Sequence, residues 1–493
     1  MKKNDWFILL ATAAYTFLFY EQSAGFNFLL FNIVLVALLL IRNKSLLTKP
    51  AWLAAAMGGL LSAICIFVYG TWLPIIANII SLLMLEGLSV NAESSLLISV
   101  VNSWYTILIT LPFGIKRVFT ESEQPNENSL LKKLPLLLIP LAISGIFFLL
   151  YRAANPVFEK YTDEISLDFI SFSWIVFTTT GFILMAGFFY HHVIAWLYET
   201  DRISPDNLKV ITLEDHMHAN QLFSFTNEML SGIILFVLLN LLLLSVNILD
   251  VYTCITQKLP EGIKLAQYLH DGTNTLILSI CLAIAIILVV FRGYLNFFEK
   301  NRLLKALAFG WIIQNAVLII TTAQRNWWVI ESSGLTRRRI GIYVYLTLCL
   351  IGLATTLVKV AQKKSNWFLF RKNSWAFYGV FIACCFIDWD DFIVRYNCSH
   401  FKALDFGYID RNYQADLGHT SLASLFEYYK LERNEAQVEN KIFNMVIVSN
   451  MFNHYDALKK ETAEASWKSY CLSKTSNVKA IDEMIAKGEI PKP

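Results

Sequence analysis

The sequence predicts an all-α protein: a polytopic transmembrane helical bundle of about eleven spans, followed by a small extracytoplasmic helical C-terminal tail. Hydrophobic residues make up 56% of the 493 residues and charged residues only 16%, against roughly 45–50% and about 25% in soluble domains. The charges also gather between long apolar runs and in the last part of the chain, after Asp388. Because an ion is costly at the centre of a bilayer, this segregation is typical of membrane-spanning helices.

A helix needs roughly 17–25 apolar residues to cross the hydrocarbon core, which is about 30 Å thick. Eleven stretches approach this length, and the first and last are the shortest. They are Trp6 to Tyr20, Gly25 to Ile41, Ala51 to Tyr69, Trp72 to Leu88, Leu134 to Tyr151, Phe169 to Tyr190, Met229 to Leu249, Asn274 to Phe291, Ala306 to Ala323, Ile340 to Val358 and Trp375 to Ile387.

The segment Ser94 to Phe113 is long enough to cross but carries polar residues, among them Asn102, Ser103 and Thr106. Lysine and arginine favour the cytoplasmic loops of membrane proteins. If this segment crossed, every later loop would change sides and the most basic loops would lie outside. We therefore predict an interfacial or re-entrant helix here.

The same bias orients the chain. With the N-terminus in the cytoplasm, most lysines and arginines of the short loops lie on the inner side. This arrangement predicts a multi-pass protein of the bacterial inner (plasma) membrane with an extracytoplasmic tail. The lipid bilayer is the predicted partner, and we found no nucleic-acid motif.

The chain changes character at residue 388, which predicts a transmembrane domain over residues 1–388 and a soluble helical tail over 389–493. Leu422, Leu425, Phe426 and Tyr429 have the spacing of an amphipathic helix. A second apolar pattern runs from Val438 to Tyr470. The last residues, around 487–493, are predicted to be disordered.

One constellation of ionisable residues is predicted on the outer side, at a single membrane depth. It comprises His270 and Asp271 before one span, Arg325 at the end of another, Glu331 in a loop, and Arg337, Arg338 and Arg339 at the start of the next. Three adjacent arginines outside depart from the usual charge bias. They could form a site for an anion or a lipid headgroup, because guanidinium groups bind phosphates and carboxylates in a bidentate manner. Alternatively, they pair with Asp388, Asp390 and Asp391 and hold the tail against the helices.

Other residues give weaker indications of chemistry. Glu214, Asp215, His216 and His218 could contact a metal, but no further ligand has a diagnostic spacing, so we predict no metal and no cofactor. The amides inside the spans, notably Asn240, Asn247, Gln314 and Asn315, are explained by hydrogen bonds between helices. A disulfide between Cys398 and Cys471 is a hypothesis.

Several stretches resemble a bacterial family of polytopic membrane proteins, the domain of unknown function 4173 (DUF4173) family. They are Gly25 to Phe31, Tyr268 to Gly272, Ala323 with Arg325, Gly334 to Arg337, and Val394 to Asn397. The resemblance runs from the N-terminus to about Leu425 and implies a topology without a mechanism.

These observations favour a non-enzymatic membrane scaffold, an envelope-sensing protein or a partner-binding protein that acts through its tail. One alternative is a transporter or lipid-handling protein that uses the outer arginines. A second is a membrane-embedded transferase with Asp250 or Asp271 as its base. The signatures of common hydrolases and nucleotide-binding enzymes were not found in the sequence.

Overall fold

The computed structural model of the chain describes residues 3–120, 144–162 apart from positions 146, 149, 150 and 153, 171–190, 194–208, 225–256, 273–291, 296–297, 301–400, 411–439 and 445–490. The regular elements of these residues are helices, which confirms the predicted all-α fold. The α-helices are α1 (Lys3–Phe19), α2 (Phe26–Arg42), α3 (Pro50–Tyr69), α4 (Trp72–Val90), α5 (Leu96–Thr120), α6 (Pro156–Thr162), α7 (Phe172–Phe189), α8 (Ala195–Ile203), α9 (Phe225–Thr256), α10 (Thr273–Val290), α11 (Arg302–Ser333), α12 (Arg337–Gln362), α13 (Asn366–Cys385), α14 (Trp389–His400), α15 (Arg411–Ala415), α16 (Leu422–Glu439), α17 (Met445–Glu464) and α18 (Leu472–Ala486). Short 3-10 helices cover Lys44–Thr48, His419–Ser421 and Trp467–Ser469.

Five of these helices, α3, α4, α9, α11 and α12, are long and apolar enough to cross a bilayer. Shorter apolar segments lie in α1, α2, α5, α7 and α10. The chain is therefore a helical membrane protein. The predicted span Leu134 to Tyr151 lies largely outside the described residues, and the count of eleven crossings stays a prediction.

The chain forms two compact units, and the tail contributes to both. Unit 1 consists of Met1–Arg202 with Asp456–Val478, and unit 2 of Ile203–Tyr455 with Lys479–Pro493. The tail, which the sequence marks as one segment from residue 389, is thus divided between two packing environments.

Buried amides join the first helices of unit 1. Asn78 in α4 donates to the backbone carbonyl of Gly59 in α3 at 2.8 Å. Asn32 in α2 donates to the side-chain carbonyl of Asn78 at 3.1 Å. In hydrocarbon, where apolar contact gives helices little reason to associate, such bonds fix helix against helix. These amides therefore hold α2, α3 and α4 together.

Helix α5, which covers most of the segment Ser94 to Phe113, is continuous and runs antiparallel to α4; the interfacial or re-entrant placement of this segment stays a prediction. Ser103 donates to the Leu83 carbonyl at 2.7 Å, and one turn earlier Ser99 contacts Gly87. Ser103, one of the polar residues that argued against a span, therefore faces α4.

Helix α7 in turn runs antiparallel to α5. Gly187 contacts Ile107, and the Ile194 N–H donates to Asn102 at 3.0 Å. Helix α7 therefore begins at the end of unit 1 where α5 finishes.

Residues 466–471 of the tail, which we call the strap, lie across the ends of helices in unit 1. The Phe26 N–H at the start of α2 donates to the Tyr470 carbonyl at 3.0 Å. Lys468 Nζ donates to the Phe17 carbonyl in the last turn of α1 at 2.8 Å. Helix ends leave backbone groups without partners in the helix, so the strap caps α1 and α2 at once.

Close backbone packing makes this docking depend on a glycine. A Cβ atom on Gly25 would lie 2.6 Å from the carbonyl oxygens of Ser469 and Tyr470. The next residue, Cys471, is buried, and its thiol faces the Ile66 carbonyl near the end of α3 at 3.9 Å. The strap therefore contacts three helix ends of unit 1.

Unit 2 is organised around α11. Helix α9 runs parallel to it, since Gly232 contacts Leu304 near their starts and Asn247 donates to the Gln314 carbonyl further along. Helix α12 runs antiparallel to α11, and α10 packs against both. Phe236 of α9 and Trp311 of α11 meet edge to face in the core at 5.4 Å. These directions agree with the alternating crossings predicted for this part of the chain.

The tail part of unit 2 has the predicted amphipathic helices. Phe426 of α16 packs against Phe452 of α17 at 5.0 Å, and both rings are buried. Near the end of the chain, residues 487–490 are described, whereas residues 491–493 lie outside the described part, and the disorder predicted there stays a prediction. Ile490 is buried, and Glu489 pairs with Lys430 at 2.8 Å.

Candidate functional site

The predicted outer constellation is not a single cluster among the described residues. His270 and Asp271 lie outside them. Arg325 and Glu331, predicted at a span end and in a loop, are both inside α11, which continues to Ser333. Arg337, Arg338 and Arg339 form the first turn of α12 as predicted.

Three aspartates at the start of α14 form what we call the acidic elbow: Asp388 immediately before the helix, and Asp390 and Asp391 in its first turn. Arg337 holds Asp390 through two hydrogen bonds, from Nε and from the terminal nitrogen, each 2.6 Å long. The Gly418 N–H adds a third bond to Asp390 at 3.1 Å. This bidentate ion pair joins the first turn of α12 to the start of the tail.

The other two aspartates of the elbow hold the tail helices that follow. Thr420 donates to Asp388 at 2.7 Å, and Ser424 of α16 donates to Asp391. Burial raises the pKa of Asp388 above its ordinary value, although the bond from Thr420 opposes the rise. Each carboxylate of the elbow thus connects α14 to a different element.

The remaining arginines of this turn differ in their contacts. Arg339 donates to the backbone carbonyls of Ser333 and Gly334, where α11 ends. A cation at this position is favourable, because the C-terminal end of a helix carries partial negative charge. Arg338 has no polar partner within the described part of the chain. Two of the three arginines therefore bind groups of this protein itself.

The corner between α11 and α12 is completed by a residue that the search for ionisable groups missed. Asn397 of α14 donates to the Leu335 carbonyl at 2.9 Å and accepts from the Leu335 N–H. Gly334, with φ +77°, brings the backbone close to the Asn397 side chain. Leu335 and Asn397 both lie in stretches that carried the family resemblance. Membership of those stretches was the signal in the sequence that could have drawn attention to them.

A second polar group lies between α9 and α11. Arg325 and Asp250 form a buried ion pair there, with both side chains about nine-tenths enclosed. Nearer the middle of the two helices, Gln314 donates to Asn240 at 2.9 Å. The predicted hydrogen bonding between helices is confirmed for Asn240 and Gln314, whereas Asn315 bonds within its own helix to Trp311.

The sequence placed Asp250 outside the membrane as the base of a hypothetical transferase. Helix α9 continues to Thr256, so Asp250 lies within the helix; its predicted position outside the membrane and its role as a base stay predictions. A charge inside a spanning helix is tolerated when it is paired, and Arg325 provides the partner.

Two further predictions concern metal and disulfide chemistry. The residues Glu214, Asp215, His216 and His218 lie outside the described residues. Where side chains are described, no group of three or more His, Cys, Asp or Glu could hold a metal ion. Cys398 and Cys471 are not bridged to each other. Each thiol is buried beside its own oxygen acceptor, Gln414 for the first and the Ile66 carbonyl for the second.

Comparison with known proteins gives one match. The chain matches the domain of unknown function DUF4153 over residues 7–428. The DUF4173 resemblance is not confirmed, although the kind of family, a domain of unknown function, is the same. No curated protein and no solved structure shows significant similarity to the chain. The matched region contains both units' membrane helices and the acidic elbow, and the chain belongs to the DUF4153 family.

Proposed function

We propose that this protein is a non-enzymatic scaffold of a bacterial inner membrane that binds a protein partner, or senses the envelope, through its extracytoplasmic C-terminal tail. The observation that carries the proposal is the ion pair between Arg337 and Asp390. It engages one of the three arginines of the predicted anion site in holding the start of the tail. Arg339 is likewise engaged by carbonyl groups of the chain. These contacts favour tail attachment over ligand capture by the arginines.

The tail also has a surface on which a partner could bind. Leu431 of α16 is 53% exposed, while Leu425 on the buried face of the same helix is 9% exposed. An exposed leucine by itself is ordinary. Because the tail helices already have a core around Phe426, however, Leu431 is not needed for their packing.

Site-specific photo-crosslinking in intact cells tests the proposal. A photoreactive amino acid at Leu431 should give a discrete adduct of higher mass, and the same group at Leu425 should not. Adding Arg337→Gln should weaken the adduct, because the tail is no longer held. If Leu431 gives no adduct, or gives one that Arg337→Gln leaves unchanged, the tail is not a docked binding surface.

The sidedness of the tail is tested separately. Ala465 is exposed immediately before the strap, and a thiol introduced there into a cysteine-free variant should react with a membrane-impermeant maleimide in intact cells. Reaction only after permeabilisation would place the tail in the cytoplasm and contradict the orientation.

A further inference from the structure

Three lysines of unit 2 lie close together where α10 ends, α11 begins and α12 ends. We call Lys305, Lys359 and Lys363 the lysine cluster. Its side chains contact Phe291, at the end of α10, and Asn296 and Phe297. From the sequence, these lysines were used only to predict the orientation of the chain in the membrane.

Lys359 lies at the base of the cluster. Its side chain is 1% exposed, and Nζ donates to the Phe291 carbonyl at 3.0 Å. This bond caps the C-terminal end of α10, where a cation is favourable. Capping uses only one of the three protons on the ammonium group. A buried charge is ordinarily paired with an opposite charge, and a carbonyl does not provide one.

The other two lysines increase the uncompensated charge. Lys305 Nζ donates to the Asn296 carbonyl at 3.3 Å, and Lys363 Nζ lies 5.0 Å above the ring of Phe297. The charges of Lys305 and Lys363 act on each other. Within the described residues, no carboxylate pairs with any lysine of the cluster. The orientation of the protein requires cations on one side of the membrane. It does not require that the side chains of three lysines lie close together.

We propose that the lysine cluster binds a phosphate-bearing anion, with Lys305 and Lys363 in contact with the phosphate and Lys359 supplying charge from below. The start of α11 supports an anion at this place. Lys305 lies in the first turn of this helix, and a helix N-terminus attracts negative charge. Basic groups between membrane helices bind lipid headgroups by this chemistry. The phosphate could belong to an anionic lipid or be free in solution. The proposal does not depend on the function proposed for the tail.

The test uses the full-length protein, purified in a neutral detergent without anionic lipid. Two probes, phosphatidylglycerol and inorganic phosphate, are titrated separately, and binding is followed by native mass spectrometry and by the thermal midpoint. The principal variant is Lys305→Gln with Lys363→Gln. The matched control is Lys364→Gln, because Lys364 lies next to the cluster but its Nζ already binds Asn207 at 2.7 Å.

Phosphatidylglycerol should bind the double variant roughly 30-fold more weakly than the wild type, and the control should bind like the wild type. Protection by phosphatidylglycerol alone identifies a lipid site, and protection by inorganic phosphate as well identifies a phosphate site. If the double variant does not fold, Lys363→Arg, which keeps the charge, should retain binding where Lys363→Gln loses it. The proposal is overturned if neither probe binds the wild type, or if binding is the same in wild type and charge-removing variants.

Discussion

Replacing Arg337 by glutamine should release the tail from the first turn of α12. The Arg337 side chain is 44% exposed and that of Asp390 only 8%. Fully exposed ion pairs contribute roughly 0–1 kcal/mol, and removing one partner of a buried pair costs about 3–5 kcal/mol. With one partner half-exposed and the other buried, we expect a cost of about 2 kcal/mol. That corresponds to a roughly 30-fold shift from docked towards undocked tail.

Hydrogen exchange of the α14 backbone amides measures this shift directly, because those amides exchange when the tail undocks. The single variants Arg337→Gln and Asp390→Asn and their double variant form a thermodynamic cycle. The coupling energy should be about 1.5 kcal/mol or more, as for other charge-assisted hydrogen bonds. Arg338→Gln is the control, since Arg338 has no polar partner in the described structure, and it should leave exchange unchanged.

Two results would refute the reasoning. One is a coupling energy within about 0.3 kcal/mol of zero, the range expected for independent sites. The other is equal acceleration of exchange by Arg338→Gln, which would mean that the general positive charge of the turn, rather than one ion pair, holds the tail.

Three further predictions follow from contacts elsewhere in the chain. Arg325→Gln leaves Asp250 as a buried charge without its ion-pair partner and should lower the free energy of unfolding in detergent by about 3 kcal/mol, measured by denaturant titration. Gly25→Val should displace the strap, because its side chain would overlap the strap backbone, and the rate at which maleimide modifies Cys471 should rise. For Asp388, the raised pKa means that the docked tail binds a proton more readily than the undocked tail. Docking should therefore weaken as pH rises from the ordinary pKa of an aspartate through the raised one, and Asp388→Asn should abolish that part of the pH profile of α14 exchange.

Matched variants distinguish these effects from general damage. The double change Asp250→Asn with Arg325→Gln should recover part of the stability lost by Arg325→Gln, because no uncompensated charge remains. Gly341→Ala adds a methyl group where nothing lies within 4 Å, so it should leave Cys471 protected. An Asp388→Asn variant with the wild-type pH profile would show that another group titrates.

The fold class could be predicted from composition because the cost of burying charge in hydrocarbon acts on every residue of a span. The ends of the helices could not be predicted in this way. The predicted spans stopped at Leu249 and Ala323, just before Asp250 and Arg325, because a single sequence shows each charge without its partner. In the fold the two charges lie side by side between α9 and α11, so both helices continue beyond them.

The alternative prediction for the outer arginines, that they pair with the aspartates after residue 387, identified the right types of residue but no specific pair. Arg337, rather than Arg338, pairs with Asp390 because of the direction in which the helical turn points each side chain. The positive φ of Gly334 contributes as well, because it sets the turn between α11 and α12. The polar residues of α5 show the same limit. Ser103 donates to the Leu83 carbonyl of α4, and such contacts between distant segments are invisible to a count of charges in loops.

The strap has a consequence for how the protein is made. The first three helices leave the ribosome hundreds of residues before the strap does, so their ends are in the membrane before these caps exist. N-terminal segments commonly begin to fold during synthesis, yet this unit cannot be completed until nearly the whole chain has been translated. A ribosome that stops after residue 385 but before residue 466 would produce a protein with both groups of membrane helices but an unfinished first unit, which gives cellular proteases a direct means of recognising an incomplete product.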